Sequence, residues 1–110
     1  PNSNGDSPLF IASSNGHADC VQLLLAANAS VDETDSNGDS PLFIASGNGH
    51  AECVQLLLAA NASVDLPNSK GVSPLFYASG NGQAECVKVL LEHRCETIRL
   101  GKMAFHSLLR

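Results

Sequence analysis

The chain has 110 residues, 44% of them hydrophobic, and a formal net charge of -5. That length suits one compact domain, and that apolar content belongs to a folded chain, which excludes disorder over most of its length. No apolar run approaches the ~20 residues of a membrane-spanning helix, so no membrane partner is expected. The charge is uneven: residues 1–66 hold eight acids and no Lys or Arg, while residues 67–110 hold three acids against six bases. An acidic front half repels phosphate and disfavours nucleic acid. The asymmetry reads in two ways, as solubility with drift along the chain, or as a dipolar surface that steers a partner or packs head to tail on another copy. The first residues do not read as a basic and apolar leader, so a secretory signal is not expected. Pro1-Asn2-Ser3-Asn4 echoes Pro67-Asn68-Ser69-Lys70, and the expectation is a piece of a longer array.

Ser-Pro-Leu-Phe begins at Ser7, Ser40 and Ser73, 33 residues apart each time. A fixed period of this length predicts a stack of small units, each burying its apolar face on the next. The units run about 5–37, 38–70 and 71–100 within a single domain of residues 1–110. Taking the second in order, Asp35-Ser36-Asn37-Gly38 is a turn ending in a glycine free to take positive φ. Ser40-Pro41 starts a helix, because the hydroxyl caps free N–H groups and proline suits the first turn. Leu42 to Ala45 carry that short helix and Asn48-Gly49 stops it. A second helix over about 51–60 places Cys53, Val54, Leu57 and Leu58 at helical spacing. Asn61 follows, a residue that tolerates the left-handed conformation closing a helix. Val64-Asp65-Leu66 then leads out, extended, to the next turn.

Residues 5–37 match residues 38–70 at 27 of 33 positions. Four of the six differences fall in the extended finger: Glu33/Leu66, Thr34/Pro67, Asp35/Asn68 and Asn37/Lys70. The other two are Ser14/Gly47 and Asp19/Glu52. A tip that meets partners would vary in this way, and so would a tip under no constraint. Gly101 to Leu109 reads as a degenerate fourth opening, 30 rather than 33 residues after Gly71. It is either a cap laying Met103, Phe105, Leu108 or Leu109 on the third unit, or a truncated repeat; the cap is favoured.

The run from Gly38 to His50, then Cys-Val-Gln-Leu-Leu-Leu-Ala-Ala-Asn-Ala from Cys53, resembles the ankyrin repeat over residues 1–98. That family's pattern is Gly-x-Thr-Pro-Leu-His-x-Ala-Ala-x-x-Gly-His, then Val-x-x-Leu-Leu, then Gly-Ala. Ser7, Ser40 and Ser73 replace Thr and keep the capping hydroxyl. Phe10, Phe43 and Phe76 replace a His that, in the family, ties neighbouring turns by hydrogen bonds. Asn28 and Asn61 replace the helix-ending Gly, as does Arg94, which suits left-handed geometry less well. The resemblance implies an all-α solenoid of stacked helix-turn-helix units with β-hairpin-like fingers. It also implies a concave face lined by the turn-flanking residues and the first helices. On this sequence that face comprises Asn4, Asp6, Ser14 and Asn15, then Asn37, Asp39, Gly47 and Asn48, then Lys70, Val72, Gly80 and Asn81. Tyr77 stands where Ile11 and Ile44 stand and brings a hydroxyl to that surface.

Chemistry finds little foothold. Cys20, Cys53 and Cys86 recur once per unit rather than at the close spacing of a metal site. Stacked helices lie ~8–10 Å apart and a disulfide needs Cα atoms within ~7 Å, so all three are expected as reduced, buried thiols. Cys95 is read in the same way. Reduced thiols point to the cytosol or nucleus. His17, His50 and Gln83 share one position between the helices, and the Gln indicates a hydrogen bond there rather than a metal. His93 and His106 join no constellation. Asn28-Ala29-Ser30 and Asn61-Ala62-Ser63 fit the glycosylation pattern and are read as helix ends. No catalytic residue, metal or cofactor is expected. The expected function is a non-catalytic module presenting a concave surface to another protein, with a basic or polar segment favoured by the acidic half. The alternatives are a spacer or self-assembling element joined through open ends, and the targeting arm of a larger enzyme.

Overall fold

The computed structural model describes residues 4–94; Cys95, His106 and the fourth opening at 101–109 lie outside them. Five helices alternate short and long: α1 (Pro8–Ser14), α2 (Ala18–Ala26), α3 (Pro41–Gly47), α4 (Ala51–Ala59) and α5 (Pro74–Gly80). A sixth, α6, begins at residue 84 and is helical to residue 94. The chain is thus an all-helical stack in which α1, α3 and α5 form one row. α1 packs on α2 and α3, α3 on α4 and α5, and α2 on α4.

The Ser-Pro pairs start the inner helices as their chemistry dictates. The hydroxyls of Ser7, Ser40 and Ser73 each accept from the backbone N–H three residues on, at 3.1 Å. Proline occupies the first turn, where no N–H partner is required. The outer helices close on asparagine. Asn28 and Asn61 stand at φ 66° and 69°. This lets the N–H of Asn28 reach the Leu25 carbonyl and that of Ala29 the Leu24 carbonyl, both at 3.0 Å. Arg94 occupies the same position in the third unit, and there the residue is itself helical. Arginine is a good helix former and a poor occupant of left-handed space.

The core runs between the rows: Leu9 and Leu42 from the inner helices, Val21, Val54, Leu57, Cys53, Cys86 and Leu90 from the outer ones. Ala12, Ala45 and Ala78 keep the inner helices close. Ser13 and Ser46 are buried with hydroxyls that find no partner, at a position where the ankyrin pattern has alanine.

Equivalent positions differ in burial according to which neighbour they have. Phe10 and Phe43 are 7% and 4% exposed, whereas Phe76 is 71% exposed; the first two are followed by a further described unit. At the other end Ile11 is 42% exposed. Cys20 is likewise exposed while Cys53 and Cys86 are buried, which corrects the expectation of three buried thiols. The physical reason is position: α4 and α6 each have an outer helix before them in the stack, and α2 has none among the described residues. Burial, with Glu52 and Glu85 adding to it, pushes the Cys53 and Cys86 thiols up from their ordinary range. Thiolate is the reacting form. Iodoacetamide labelling of the folded protein with peptide mapping should therefore modify Cys20 well before Cys53 and Cys86; equal rates would contradict this packing.

Candidate functional site

The turns at the finger tips are built by one side chain each. Asp35 Oδ1 accepts from the N–H groups of Asn37 and Asp39, both at 2.9 Å. Asn68 Oδ1 does the same for Lys70 and Val72, both at 3.0 Å. Either residue supplies the oxygen, so the Asp35/Asn68 exchange leaves the turn unchanged. A backbone bond closes each turn, Asp35 N–H to Asp39 at 3.0 Å and Asn68 N–H to Val72 at 2.9 Å. The result is hairpin-like, without strands among the described residues. Gly38 sits at φ 77°, and a Cβ there would stand 2.7 Å from the Ser69 nitrogen, so both conformation and crowding require glycine.

Neighbouring fingers are bonded together. Ser36 N–H donates to the Asn4 carbonyl at 3.1 Å, and Ser69 N–H to that of Asn37 at 3.0 Å. The Ser69 hydroxyl adds a bond to the same Asn37 oxygen at 2.6 Å. Asn68 Nδ2 donates to Asp39 Oδ1 at 3.0 Å. An aspartate at 68, as at the equivalent Asp35, could not donate there.

The inner helices are fastened at their carboxyl ends. Asn48 Nδ2 donates to the Ser14 carbonyl at 3.0 Å, and His50 Nε2 lies 3.1 Å from the same oxygen. A carbonyl only accepts, so Nε2 carries the proton. One unit on, Asn81 Nδ2 and Gln83 Nε2 donate to the Gly47 carbonyl at 3.0 and 3.2 Å. Gln83 thus does the work of His50. Asn48 and Asn81, read from the sequence as part of the concave face, spend their amides on the stack.

Tyr77 marks the departure of the third unit. Its ring stacks on Phe43, centroids 4.3 Å apart and 5° from parallel. A Cβ on Gly47 would fall inside the Tyr77 ring. At the preceding interface the corresponding residues are Ser14 and Ile44. The two differences are therefore one event: the glycine makes room for the ring.

Of the sequence-predicted face residues, Asn37, Asp39, Lys70, Val72 and Tyr77 converge on one cleft of about 280 Å³, together with Phe43, Asn68 and Ser69. A cleft of that size has room for side chains of a partner. Asn4 and Asp6 lie toward the first unit. Ser14, Asn15, Gly47, Asn48, Gly80 and Asn81 sit at the inner-helix ends, outside that cleft. Phe43 and Asn68 were not part of the face read from the sequence; the cleft uses both. Burial pushes the Asp39 carboxyl up from its ordinary range, with Asp35 and Asp6 adding to it, against the Asn68 bond and the Lys70 charge. Among the described residues no group of three His, Cys, Asp or Glu is placed to hold a metal, and no helix is long and apolar enough to cross a membrane.

A family model for ankyrin repeats, in three copies, matches residues 9–101. Cortactin-binding protein 2 of Ornithorhynchus anatinus is 60% identical over 30 residues, which are 27% of this chain and 2% of that protein. That stretch is about one unit long.

The Gly47–Tyr77 packing makes a paired prediction. Gly47→Ala should destabilise the fold by about 1–3 kcal/mol through overpacking. Gly80→Ala, with nothing within 4 Å of its Cβ, should be neutral or stabilising by up to ~1 kcal/mol from helix propensity. Urea unfolding of both variants measures the difference.

Proposed function

This chain belongs to the ankyrin-repeat family, and from that premise we propose that it is a non-catalytic protein-binding module whose concave surface takes a basic or polar segment of a partner protein. Ankyrin repeats are generally protein–protein interaction modules. The observation that carries the finer reading is that Asp6 and Asp35 lie near enough to Asp39 to add to the effect of its burial, in a chain whose first Lys or Arg is Lys70. The bonds between fingers and between inner-helix ends hold this surface in shape before any partner arrives. Little ordering entropy is then lost on binding, and the carboxylates steer a basic segment toward it. The face proposed from the sequence is retained with a division of labour. Asp6, Asn37, Asp39, Lys70, Val72 and Tyr77 are the contact residues, and Asn48 and Asn81 support them. The free thiols of Cys53 and Cys86 support a reducing compartment, cytosol or nucleus.

The test is affinity capture from a cell lysate with the wild-type chain and with Asp6→Lys/Asp39→Lys, both checked for helicity by circular dichroism. Partners that depend on the face should fall to background with the folded variant. Partners retained at wild-type level would remove these carboxylates from the site.

A second reading rests on the end faces. Phe43 is covered by Tyr77 of the following unit, at the position that Ile11 holds in the first. Phe76 and Ile11, exposed at opposite ends, are therefore the two halves of a contact already made inside the stack, and copies could join head to tail through them. Sedimentation velocity across a concentration series should then show association that Phe76→Ser abolishes; a strict monomer would exclude it.

A further inference from the structure

The cleft between the second and third units differs from its counterpart between the first and second in one direction. Asn68 stands where the earlier interface has Asp35, Lys70 where it has Asn37, and Val72 where it has Asp39. Each change makes the lining one charge more positive. Asp39 holds the place that Asp6 holds before it, so the formal balance goes from -3 in the first cleft to 0 in the second. A fourth change, Tyr77 for Ile44, adds an aromatic ring and is accommodated by Gly47 beneath it. Four replacements meet in a single cavity, and three of them shift its charge the same way.

The charge pattern selects a partner by attraction and by exclusion. Asp39, the acid of the second cleft, is already engaged by the Asn68 amide at 3.0 Å, and Lys70 offsets its charge. A uniformly basic segment lying along both clefts would set a cation against Lys70, and such like-charge contacts are how interfaces reject wrong partners. A segment that changes sign between the clefts meets carboxylates first and an ammonium second. Val72 and Tyr77 beside Lys70 give apolar cover to the stem of an acidic side chain or to a ring next to it.

We propose that the second cleft is a specificity pocket for an acidic side chain with an apolar or aromatic neighbour, set one unit along the partner from the basic residue held over the first cleft. Stacked units lie ~8–10 Å apart and an extended chain advances ~3.3 Å per residue, so the basic and acidic positions are about three residues apart. This inference rests on the protein-binding reading above and adds the partner's charge order to it.

The test selects random twelve-residue peptides displayed on phage against two proteins. One is the wild-type chain. The other carries Gly47→Ser, Asn68→Asp, Lys70→Asn, Val72→Asp and Tyr77→Ile, each taken from the equivalent position of the preceding interface, which packs with those residues. Wild type should enrich peptides with Arg or Lys about three residues from Asp or Glu, the acid flanked by an apolar or aromatic residue. The converted protein should enrich peptides basic at both positions. The single variant Lys70→Asn, at an exposed site, should weaken the selected wild-type peptide about three- to tenfold, the range of a partly exposed charge pair, and Glu→Gln in the peptide should weaken it equally. Basic peptides without the acid on both proteins would overturn the pocket and leave the basic-segment reading standing. Peptides lacking the basic residue, or no enrichment at all, would overturn both.

Discussion

The carbonyl oxygens of Ser14 and Gly47 are where one unit becomes the platform for the next. Each lies at the carboxyl end of an inner helix, where the last carbonyls have no partner of their own. The following unit supplies two donors, Asn48 and His50 to one, Asn81 and Gln83 to the other. These bonds fix the register of the inner helices. The burial of Leu42, Val54 and Leu57 supplies the driving force, but apolar contact is non-directional and cannot set register alone. With the register fixed, the fingers fall side by side and their backbones bond, Asn4 to Ser36 and Asn37 to Ser69.

That order of dependence explains why the candidate surface is rigid. A cleft lined by loop residues would ordinarily be adaptable. Here Asp35 and Asn68 each bind two backbone N–H groups of their own turn, and Asn68 also reaches across to Asp39. The side chains left facing solvent stand on a bonded frame. Where the third unit departs at Tyr77, a matching change accompanies it, the glycine at 47 that makes room for the ring. That paired change keeps the stack and alters what it presents.

The repeat, the helix starts at Ser-Pro and the left-handed closure at Asn28 and Asn61 were legible in the sequence, because each is a local event decided by residues within a few positions. The shared hydrogen-bonding position of His50 and Gln83 was legible too, since only a hydrogen bond suits both side chains. The state of Cys20 was not. Its sequence surroundings nearly repeat those of Cys53, and the two differ in what packs against them from another unit. Nor could the sequence separate Asn48 and Asn81 from Asp39 and Lys70 within one proposed face, because the partners of those amides lie 34 residues away.

The sequence by itself determined the architecture: a 33-residue period of capped short helix, turn and longer helix that must stack to bury its apolar side. Tertiary structure alone decided which polar residues are spent on that stack and which remain for a partner. It also decided that Asn68, Lys70, Val72 and Tyr77 share one cleft. The physical reason is that local backbone conformation depends on near neighbours in the chain, whereas burial, hydrogen-bond satisfaction and charge balance depend on the neighbouring unit.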